Sequence, residues 1–557
     1  MDTSIAIDAS QFFLGFFKSL FGTPAILVGL FSLLGSILLR KKFSEIIISF
    51  FKTLAGFLIL NAGAMVIQIP LTNFRVLFQD LFKVSGTIAN SDAFATQFFK
   101  ISEQTAQLGS IVMVMAIVLN LILAGFSRFK YVYLTGHLVL YMSIMLATVL
   151  AHANNQQFLD LSKPGDYAIA LISSALLMSV YMVISAAACK RFVKQISKQD
   201  DVSLAHAGSL SYVTAGWIGE AIYKIKKGQN IKCADKINFP KWLQFFKNTF
   251  ISVSITMLII FMVIYIPEGI MYNVGKKTLF IPPKNIPVEE WPLVTKTLYD
   301  LFGPHAANNW VVQMFLDAFT FAAGVEILLF GVRMIIDEIV PSFKGISTKF
   351  IKNSQPSLDC PIVFPYSPNA VIIGFVSSLT AGFIVMGISI GVASHNKVLP
   401  VLLPGVIPHF FLGATSGVFG NVKGGIWGCV LGAFINGIII TFIPWVFIGA
   451  GWVPAAQLSW GDTDFLLGIV PGVLALSGQV TGRVLIILIP SLIYLALIID
   501  GIIKSSRDKK ALKLKINDEI NDLNNQEEDK ELTQNSQVNI NEEVAEQKQQ
   551  IELNQTT

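Results

Sequence analysis

Charged side chains are scarce in this sequence. Asp, Glu, Lys and Arg make up 14% of its 557 residues, whereas they make up about a quarter of a typical soluble protein. Hydrophobic residues reach 53%, and the mean hydropathy is +0.62. So low a charge content excludes an ordinary soluble domain, and the chain is therefore predicted to lie in a lipid bilayer.

Cysteine is scarce as well. The chain has four cysteines, and no two of them form a CxxC pair or another spacing typical of a metal site. The sequence therefore gives no reason to expect a disulfide framework or a cysteine-bound metal. The first ten residues, MDTSIAIDAS, also lack the basic start of a cleavable signal peptide, and none is predicted.

Long hydrophobic runs are what the sequence has in abundance. Segments of about 20 residues, the length needed to cross a hydrocarbon core, recur from the N-terminus to about Asp500. About eleven transmembrane helices are predicted, centred within 20–39, 45–69, 109–127, 131–151, 167–189, 248–270, 312–334, 370–394, 399–420, 425–448 and 480–501. The predicted fold class is an all-α polytopic membrane protein.

Basic residues cluster after alternate spans, namely the first, third, fifth, seventh, ninth and eleventh. Loops rich in Lys and Arg stay on the cytoplasmic side of a membrane. The N-terminus is therefore predicted outside and the C-terminus in the cytoplasm, which only an odd number of spans allows. Because these loops explain the net charge of +5, they indicate contact with membrane lipid and no nucleic-acid partner.

Two parts of the chain share a faint similarity. The segment GFLILNAG (56–63) resembles GVEILLFG (324–331) at a shift of 268 residues, and His137 and His409 differ by 272. Two inverted five-helix repeats are predicted, because a five-span unit reverses its direction in the membrane when repeated. Glycines spaced by seven are also ordinary helix-packing chemistry, and this alternative remains open. The predicted boundaries are 15–222 for the first repeat, 245–478 for the second and 480–503 for the last helix.

Residues 199–222 and 450–478 are neither good spans nor ordinary loops. Both are moderately apolar and rich in small residues, and they occupy corresponding places in the two repeats. We expect re-entrant hairpins here. Irregular backbone at membrane depth is tolerated where it is buried in protein or lines a cavity, so these hairpins are predicted to line a substrate path.

His137 and His409 each lie in an apolar segment interrupted by glycine or proline. An ionisable side chain inside a span is costly and is usually kept where it faces a polar cavity. Broken segments at matching positions of two repeats point to the substrate site of a carrier. Each histidine could instead cross-link helices by a satisfied hydrogen bond, and His409 follows Pro408, where freed carbonyls need a donor.

The residues after 503 differ in composition from the rest. The segment 504–557 is rich in Asn, Gln, Glu and Lys and is predicted to be a disordered polar cytoplasmic tail. Ile516, Ile520 and Leu523 recur at helical spacing, which leaves a short helix or weak coiled coil open. The tail contains no Cys and no His, which excludes a fused phosphocarrier domain.

Several segments together carry a resemblance: GFLILNAGAMVI, FKYVYLTGHLVLYM, VSLAHAGSLSYVTAGWIG, LDCPIVFPYSPNAVIIGF and PHFFLGATSGVFGN. They resemble the ascorbate-type IIC permease of the bacterial phosphoenolpyruvate-dependent phosphotransferase system. The resemblance covers roughly residues 15–503, so that 1–503 is expected to form the permease domain.

This resemblance implies a homodimeric permease of the cell membrane with a V-shaped scaffold and a mobile core. It would carry L-ascorbate or a related sugar acid, which is phosphorylated as it reaches the cytoplasm. The phosphate would come from a cysteine of a separate IIB phosphocarrier protein, supplied in turn by IIA, HPr and enzyme I. No cofactor is implied, and whether this subunit counts as an enzyme is left open.

The resemblance also implies a substrate site, assigned by matching motifs position by position. The matched positions are Ser91, Asp92, His137, Leu138, Val139, Leu140, Tyr141, His206, Ala207 and Asp359. The charge of His137 can vary near neutral pH, and one of His206 or Asp359 could assist deprotonation of the attacking hydroxyl. Asp359 could instead cap the eighth span, and Asp92 lies in an ordinary polar turn.

Two departures leave the substrate open. The family pattern has Gln where Tyr141 and Ala207 stand, so two amides that can donate and accept are missing. A related sugar acid or a polyol is therefore a second possibility. The alternative function is a cation-coupled secondary transporter of such a compound, with Asp317 and Glu326 as candidate coupling residues; a channel is disfavoured because no span shows a filter-like loop or a ring of charges.

Overall fold

The structure is a computed structural model. It describes residues 24–82, 86–89, 91, 94, 102–152, 158–198, 200, 202–237, 249–278, 292–303, 309–351, 353–395, 399–453 and 458–554. Clustering of contacts divides the chain into two units, of which the larger comprises residues 1–125 and 129–495 and the smaller comprises 126–128 and 496–557.

Helices form most of the described chain, as the apolar runs predict. In chain order they are α1 (Pro24–Leu38), α2 (Phe43–Phe82), α3 (Glu103–Phe126), α4 (Gly136–His152), α5 (Pro164–Ser197), α6 (Ser209–Ile225), α7 (Thr249–Asn273), α8 (Leu293–Phe302), α9 (Trp310–Phe350), α10 (Pro368–His395), α11 (Val406–Pro408), α12 (Ala414–Gly449), α13 (Ile469–Ala475) and α14 (Gln479–Asn554). A π-helical turn, His409–Gly413, joins α11 to α12, and 3-10 turns lie at Ala234–Lys236, Cys360–Tyr366 and Thr463–Gly468.

Among the described residues, seven helices are long and apolar enough to cross a membrane. They lie within α3, α5, α7, α9, α10, α12 with its π-helical turn, and α14. Two apolar helices, Gly136–His152 and Thr463–Ala475, are shorter than a span. The all-α polytopic class is confirmed, although fewer helices than the predicted eleven meet the requirement for a span within this part of the chain.

Two predicted spans differ from single helices. The run 131–151 divides into a strand and α4, and the run 399–420 divides into a strand, α11, the π-helical turn and the start of α12. In each run a glycine follows the strand: Gly136 is the first residue of α4, and Gly405 lies between its strand and α11. At Gly405 the neighbouring backbone leaves no room for a side chain.

Short strands form two small parallel sheets, which the sequence analysis did not predict. The strands are β1 (Gly86–Ala89), β2 (Tyr131–Tyr133), β3 (Ser203–Leu204), β4 (Gln355–Leu358), β5 (Val401–Leu403) and β6 (Leu458–Ser459). The β1 sheet has the order β5–β1–β6, and the β4 sheet has the order β2–β4–β3. In register, Ile88 of β1 lies opposite Leu403 and Leu458, and Ser357 of β4 lies opposite Tyr133 and Ser203.

The two sheets exchange strands between the halves of the chain. The central strand β1 comes from the first half and its neighbours β5 and β6 from the second, whereas central β4 comes from the second half and its neighbours β2 and β3 from the first. This pattern would result from two segments with the same order of elements, if the first strand of each segment paired with the second and third strands of the other. The predicted repeats therefore gain a geometric argument and remain a proposal.

The glycine-rich segments that suggested the repeat lie where α2 packs against α9. A Cβ atom on Gly324 would lie 2.7 Å from Ile67 Cγ1 and 3.1 Å from the Gly63 carbonyl oxygen. Side chains at this crossing would separate the two helices. Close packing, the alternative explanation of these glycines, is therefore an observed role of Gly324.

The C-terminal segment differs from the disordered tail that the sequence predicts. Helix α14 continues through it to Asn554. Glu, Gln and Lys are good helix formers, and a helix that extends an existing one pays no new nucleation cost. Within the smaller unit, Arg128 Nε lies 3.0 Å from Asp500 Oδ2. The unit begins at Ala496, close to the predicted boundary at 503/504.

Candidate functional site

The carboxyl ends of the strands position the candidate site. After each of β2, β3, β4, β5 and β6, a helix or helical turn begins within five residues. Because the strands of each sheet are parallel, these helix starts meet at one edge of that sheet. The N-terminus of a helix presents unpaired N–H groups and a partial positive charge, which attract anions. Such an edge is therefore suited to an anionic ligand.

Hydrogen bonds fix the three loops that follow β2, β3 and β4. The Ala205 N–H donates to the Leu358 carbonyl at 2.7 Å, and the Thr135 hydroxyl donates to the Ala205 carbonyl at 2.5 Å. The Leu134 N–H donates to the Ser357 carbonyl at 3.0 Å. These bonds bring together, at the edge of the β4 sheet, the loops that carry His137, His206 and Asp359.

His206 and Asp359 face each other at this edge. His206 Nε2 lies 3.8 Å from Asp359 Oδ1, which is too long for a direct hydrogen bond. The Tyr212 hydroxyl and His206 Nδ1 share a hydrogen bond of 2.7 Å, which fixes the plane of the ring. Asp359 Oδ1 also accepts the Cys360 N–H at 2.7 Å and so caps the 3-10 turn 360–366. The predicted capping role of Asp359 is thus observed for this turn, which precedes α10.

His137 occupies the second position of α4, two residues after Thr135, whose hydroxyl bonds to the Ala205 carbonyl next to His206. Its ring meets that of Tyr141, one turn later, edge to face at 5.9 Å between centroids. Tyr141 is buried, as are the apolar side chains of Leu138, Val139 and Leu140. These three residues pack in the hydrophobic core, so any contact of theirs with a ligand would come from the backbone at the start of α4.

The remaining predicted site residues are distributed differently. Ala207 follows His206, has a fully buried side chain and uses its carbonyl to accept the Asp464 N–H. Ser91 lies at the edge of the β1 sheet, where its hydroxyl oxygen accepts the Gly461 N–H at 3.1 Å. Asp92 lies outside the described residues. His137, His206, Ala207 and Asp359 thus belong to one edge and Ser91 to the other, and all remain predictions as ligand contacts.

His409, the counterpart of His137 in the sequence analysis, is fully buried. Its Nδ1 lies 2.8 Å from the Ser378 hydroxyl and its Nε2 lies 3.1 Å from the Thr441 hydroxyl. Both ring nitrogens are therefore engaged by α10 and α12. This is the structural role that the sequence analysis left open.

Two functional candidates were not identified from the sequence. Asp464 and Tyr181 contact the loop that carries His206, although they lie far from it in the chain. The hairpin containing Asp464 was expected to line the substrate path, but nothing in its GDTDFL sequence marks this particular carboxylate. Tyr181 is one tyrosine among many apolar residues of α5.

The turn from α5 into β3 is fixed by charge. Lys194 Nζ and Lys190 Nζ lie 2.6 Å and 3.1 Å from the carboxylate oxygens of Asp200. Hydrogen bonds from Lys194 and Lys190 lower the pKa of Asp200. The turn therefore keeps its negative charge at neutral pH, and the exposed ion pairs hold the start of the loop that leads to His206.

One group of residues at the β4 edge has donors suited to a metal ion. The ligand atoms of His206, Asp359 and Cys360 lie within 4.8 Å of one another. Imidazole, carboxylate and thiolate are ligands of Zn²⁺. The sequence analysis predicted no metal site, and that prediction stays untested.

These features define the class of the protein: a multi-pass membrane protein in which short strands and helix starts gather polar groups among membrane-length helices. The chain belongs to the PTS system sugar-specific permease component family, EIIC-GAT, whose family model matches residues 19–464.

A curated relative is similar to most of the chain. It is the ascorbate-specific PTS system EIIC component of Mycoplasma pneumoniae (strain ATCC 29342 / M129 / Subtype 1), which is 24% identical over 434 residues. The match covers 75% of this chain and 63% of the relative. The resemblance found in the sequence is thus confirmed at the level of the family, and the chain spans less than two thirds of the relative's length.

Proposed function

We propose that this protein binds L-ascorbate, or a related sugar acid, at the edge of the β4 sheet and carries it across the membrane as the permease of a phosphotransferase system. The observation that carries the proposal is the approach of His206 Nε2 to Asp359 Oδ1 at 3.8 Å, at the edge where hydrogen bonds also hold the loop that leads to His137. The ascorbate specificity of the curated relative supports the choice of substrate.

The chemistry of the edge suits a sugar acid. A polyhydroxylated anion needs groups that both donate and accept hydrogen bonds, together with a modest positive potential. Imidazole and carboxylate supply the first, and the start of α4 supplies the second. The segments 134–141, 205–210 and 358–360 contain no Lys or Arg, so the anion would not be trapped by a strong ion pair.

Phosphorylation would depend on a separate IIB protein. Cys189, Cys360 and Cys429 are buried, which leaves them poorly placed to exchange phosphate with a soluble carrier, and the half-buried Cys233 contacts Asp235 and Asn421. A cysteine of the partner would supply the phosphate once the ligand faces the cytoplasm. The proposal also includes a homodimer, an outside N-terminus and a cytoplasmic C-terminus, as the sequence resemblance and the basic loops imply.

A cation-coupled secondary transporter is the second candidate, and Asp317 is the residue that bears on it. Its Oδ2 accepts hydrogen bonds from the Tyr265 hydroxyl and from Asn73 Nδ2, and its Oδ1 accepts one from Gln313 Nε2. These neutral donors tie α2, α7 and α9 together. Because both oxygens are engaged in helix packing, Asp317 favours the phosphotransferase proposal over cation coupling.

Uptake in proteoliposomes tests the proposed function. Labelled ascorbate would be supplied outside, with and without phosphorylated IIB protein inside, for the wild type, His137→Ala and His395→Ala. His395 lies exposed at the end of α10, so its variant controls for the loss of any histidine. We expect phosphorylated ascorbate to accumulate only with the partner, for the wild type and His395→Ala but not for His137→Ala.

Three other results would reject parts of the proposal. Gradient-driven uptake of unmodified ascorbate without the partner would establish a secondary transporter. Equal loss in both variants would remove His137 from the site. No uptake of ascorbate by the wild type would reject this substrate, and the same assay would then be run with other sugar acids and polyols.

A further inference from the structure

The loop that carries His206 is held by a carboxylate from the other half of the chain. Asp464 lies in the 3-10 turn 463–468, and its side chain reaches the start of α6. Its Oδ2 accepts the Ser209 N–H at 2.8 Å and the Ser209 hydroxyl, and its Oδ1 accepts the Leu210 N–H at 2.8 Å. These are the first two residues of α6.

Helix α6 has no cap of its own. The residue before it is Gly208, which has no side chain with which to accept a helix N–H. Helices usually begin after a Ser, Thr, Asp or Asn that fills this role from within the sequence. Asp464 supplies the missing oxygens from 255 residues further along the chain, and a carboxylate is the group that best complements the positive end of a helix.

The same contact reaches His206 itself. The Tyr181 hydroxyl donates to Asp464 Oδ2 at 2.7 Å and lies 3.3 Å from the His206 carbonyl oxygen. The Asp464 N–H donates to the Ala207 carbonyl at 2.8 Å. Asp464 is therefore bonded to the chain on the C-terminal side of His206, and through Tyr181 to His206.

The negative charge of the Asp464 carboxylate is also balanced without a cation. In the part of the chain that the structure describes, no Lys, Arg or His forms an ion pair with it, although its side chain is buried. Its charge is met by backbone N–H groups and hydroxyls alone. A buried carboxylate destabilises the fold unless its hydrogen bonds are formed. The groups that donate to Asp464 are therefore held in fixed positions.

We propose that Asp464 is a positioning residue that sets the orientation of His206 toward the ligand by bonding the two predicted hairpins, whose described parts include 202–222 and 458–478, to each other. This inference rests on the proposed function, because His206 is taken there as a ligand contact. Asp464 touches no ligand in this proposal. It acts through Ser209, Ala207 and Tyr181, and the two hairpins respond to the ligand as one body.

The experiment combines histidine NMR with ligand binding on the full-length protein in detergent. The chain has six histidines, so ¹⁵N-histidine labelling gives a simple spectrum in which His206→Gln identifies the His206 imidazole. The variants are Asp464→Asn, Tyr181→Phe and, as the matched control, Asp166→Asn. Asp166 is also a buried carboxylate in the first turn of a helix, where it accepts from the Asp160 N–H and from Arg483.

Asp464→Asn replaces one acceptor oxygen by an NH₂ group and so leaves a buried donor of Ser209, Leu210 or Tyr181 without its acceptor. We expect this variant to shift the His206 imidazole signal and to raise the Kd for ascorbate by about tenfold, the scale of one unsatisfied buried donor. Tyr181→Phe keeps the cap and should produce a smaller shift of the same signal. Asp166→Asn should lower the thermal unfolding midpoint while leaving the His206 signal unchanged and the Kd within about twofold.

The experiment separates the positioning role of Asp464, called the clamp below, from the proposed function, because different results reject each of them. If the wild type binds no ascorbate, the function is rejected, and the NMR signal still tests the clamp. An unchanged His206 signal in both Asp464→Asn and Tyr181→Phe would overturn the clamp whatever the ligand is. An equal shift in Asp166→Asn would also overturn it, because the effect would then be general destabilisation. If Asp464→Asn does not fold, Tyr181→Phe decides alone.

Discussion

The two sheets have the same arrangement of three parallel strands, but different residues follow the carboxyl ends of those strands. At the edge of the β4 sheet, the residues after the strands include His137, His206 and Asp359. At the edge of the β1 sheet they include Gly405 and Gly461, which are packed against Ala89. The same backbone arrangement thus holds polar and ionisable side chains at one edge and tightly packed glycines at the other.

The space beside Gly405 and Gly136 shows how tightly each strand-to-helix junction is packed. A Cβ atom on Gly405 would lie 1.8 Å from the Ala89 carbonyl oxygen, whereas one on Gly136, the first residue of α4, would have no atom within 4 Å. One junction is filled by neighbouring backbone and the other has space beside it. The two junctions therefore differ in the room that is left beside the backbone.

The largest expected effect comes from breaking the closed edge. Gly405→Ala should destabilise the protein by about 3 kcal/mol or more, because the clash is with backbone that cannot rotate away. Gly136→Ala should be neutral or stabilising by about 0.5–1 kcal/mol, because it replaces a helical glycine in open space. Thermal unfolding in detergent measures both. Equal midpoints for the two variants would show that the edges do not differ as described.

The next effect concerns recognition at the β4 edge. His206→Gln should raise the Kd for ascorbate by roughly 10–100-fold, since a hydrogen bond to a charged ligand is worth about 1.5–3 kcal/mol. Isothermal titration calorimetry on the purified protein measures it, with His395→Gln as the control. Unchanged affinity in His206→Gln would place the ligand at another edge or cavity.

Replacing the buried histidine of the second half should affect stability alone. His409→Gln removes the imidazole bond to Ser378 or Thr441, each of which keeps one other hydrogen bond, and this loss should cost about 1 kcal/mol of unfolding free energy. The lower thermal midpoint should appear with a ligand Kd close to that of the wild type. A clear loss of affinity in the folded variant would show that His409 does contact the ligand and that the two edges are functionally equivalent.

The smallest effect is expected at Tyr141. Tyr141→Phe removes a hydroxyl but keeps the buried ring against His137, so the Kd should change by about threefold at most. Tyr141→Gln, which introduces the amide of the family pattern, is the informative companion. A marked gain in ascorbate affinity for Gln over Phe would indicate that the native substrate differs from ascorbate in the group that faces this position.

The sequence predicted the parts of this comparison that depend on local pattern. Apolar length revealed the membrane class, and the motifs around His137, His206 and Asp359 brought the three residues into one hypothesis before their loops were seen to meet. Strands of two to four residues were not predicted, because so short a run has no periodicity and its partners lie some 154–370 residues away in the chain.

The role of Asp464 could not be read locally for a similar reason. Its carboxylate caps a helix of the other half, and a capping pattern is recognisable in sequence only when cap and helix are neighbours. The sequence also could not show that the His409 ring is enclosed whereas His137 is only partly buried. Both follow a strand and begin a helix, and only the positions of Ser378 and Thr441 show that one of the two rings is enclosed.

The exchange of strands between the halves has a consequence for how this chain is made. When β1 leaves the ribosome, its partners β5 and β6 have yet to be synthesised, and about 300 residues of chain separate β1 from β5. At the usual 5–20 residues per second, the exposed strand waits on the order of tens of seconds in the membrane. A chain stopped between the halves would contain β1, β2 and β3 without β4, β5 and β6, so that neither sheet could form, and the β4 edge would form only after residue 358 has been made.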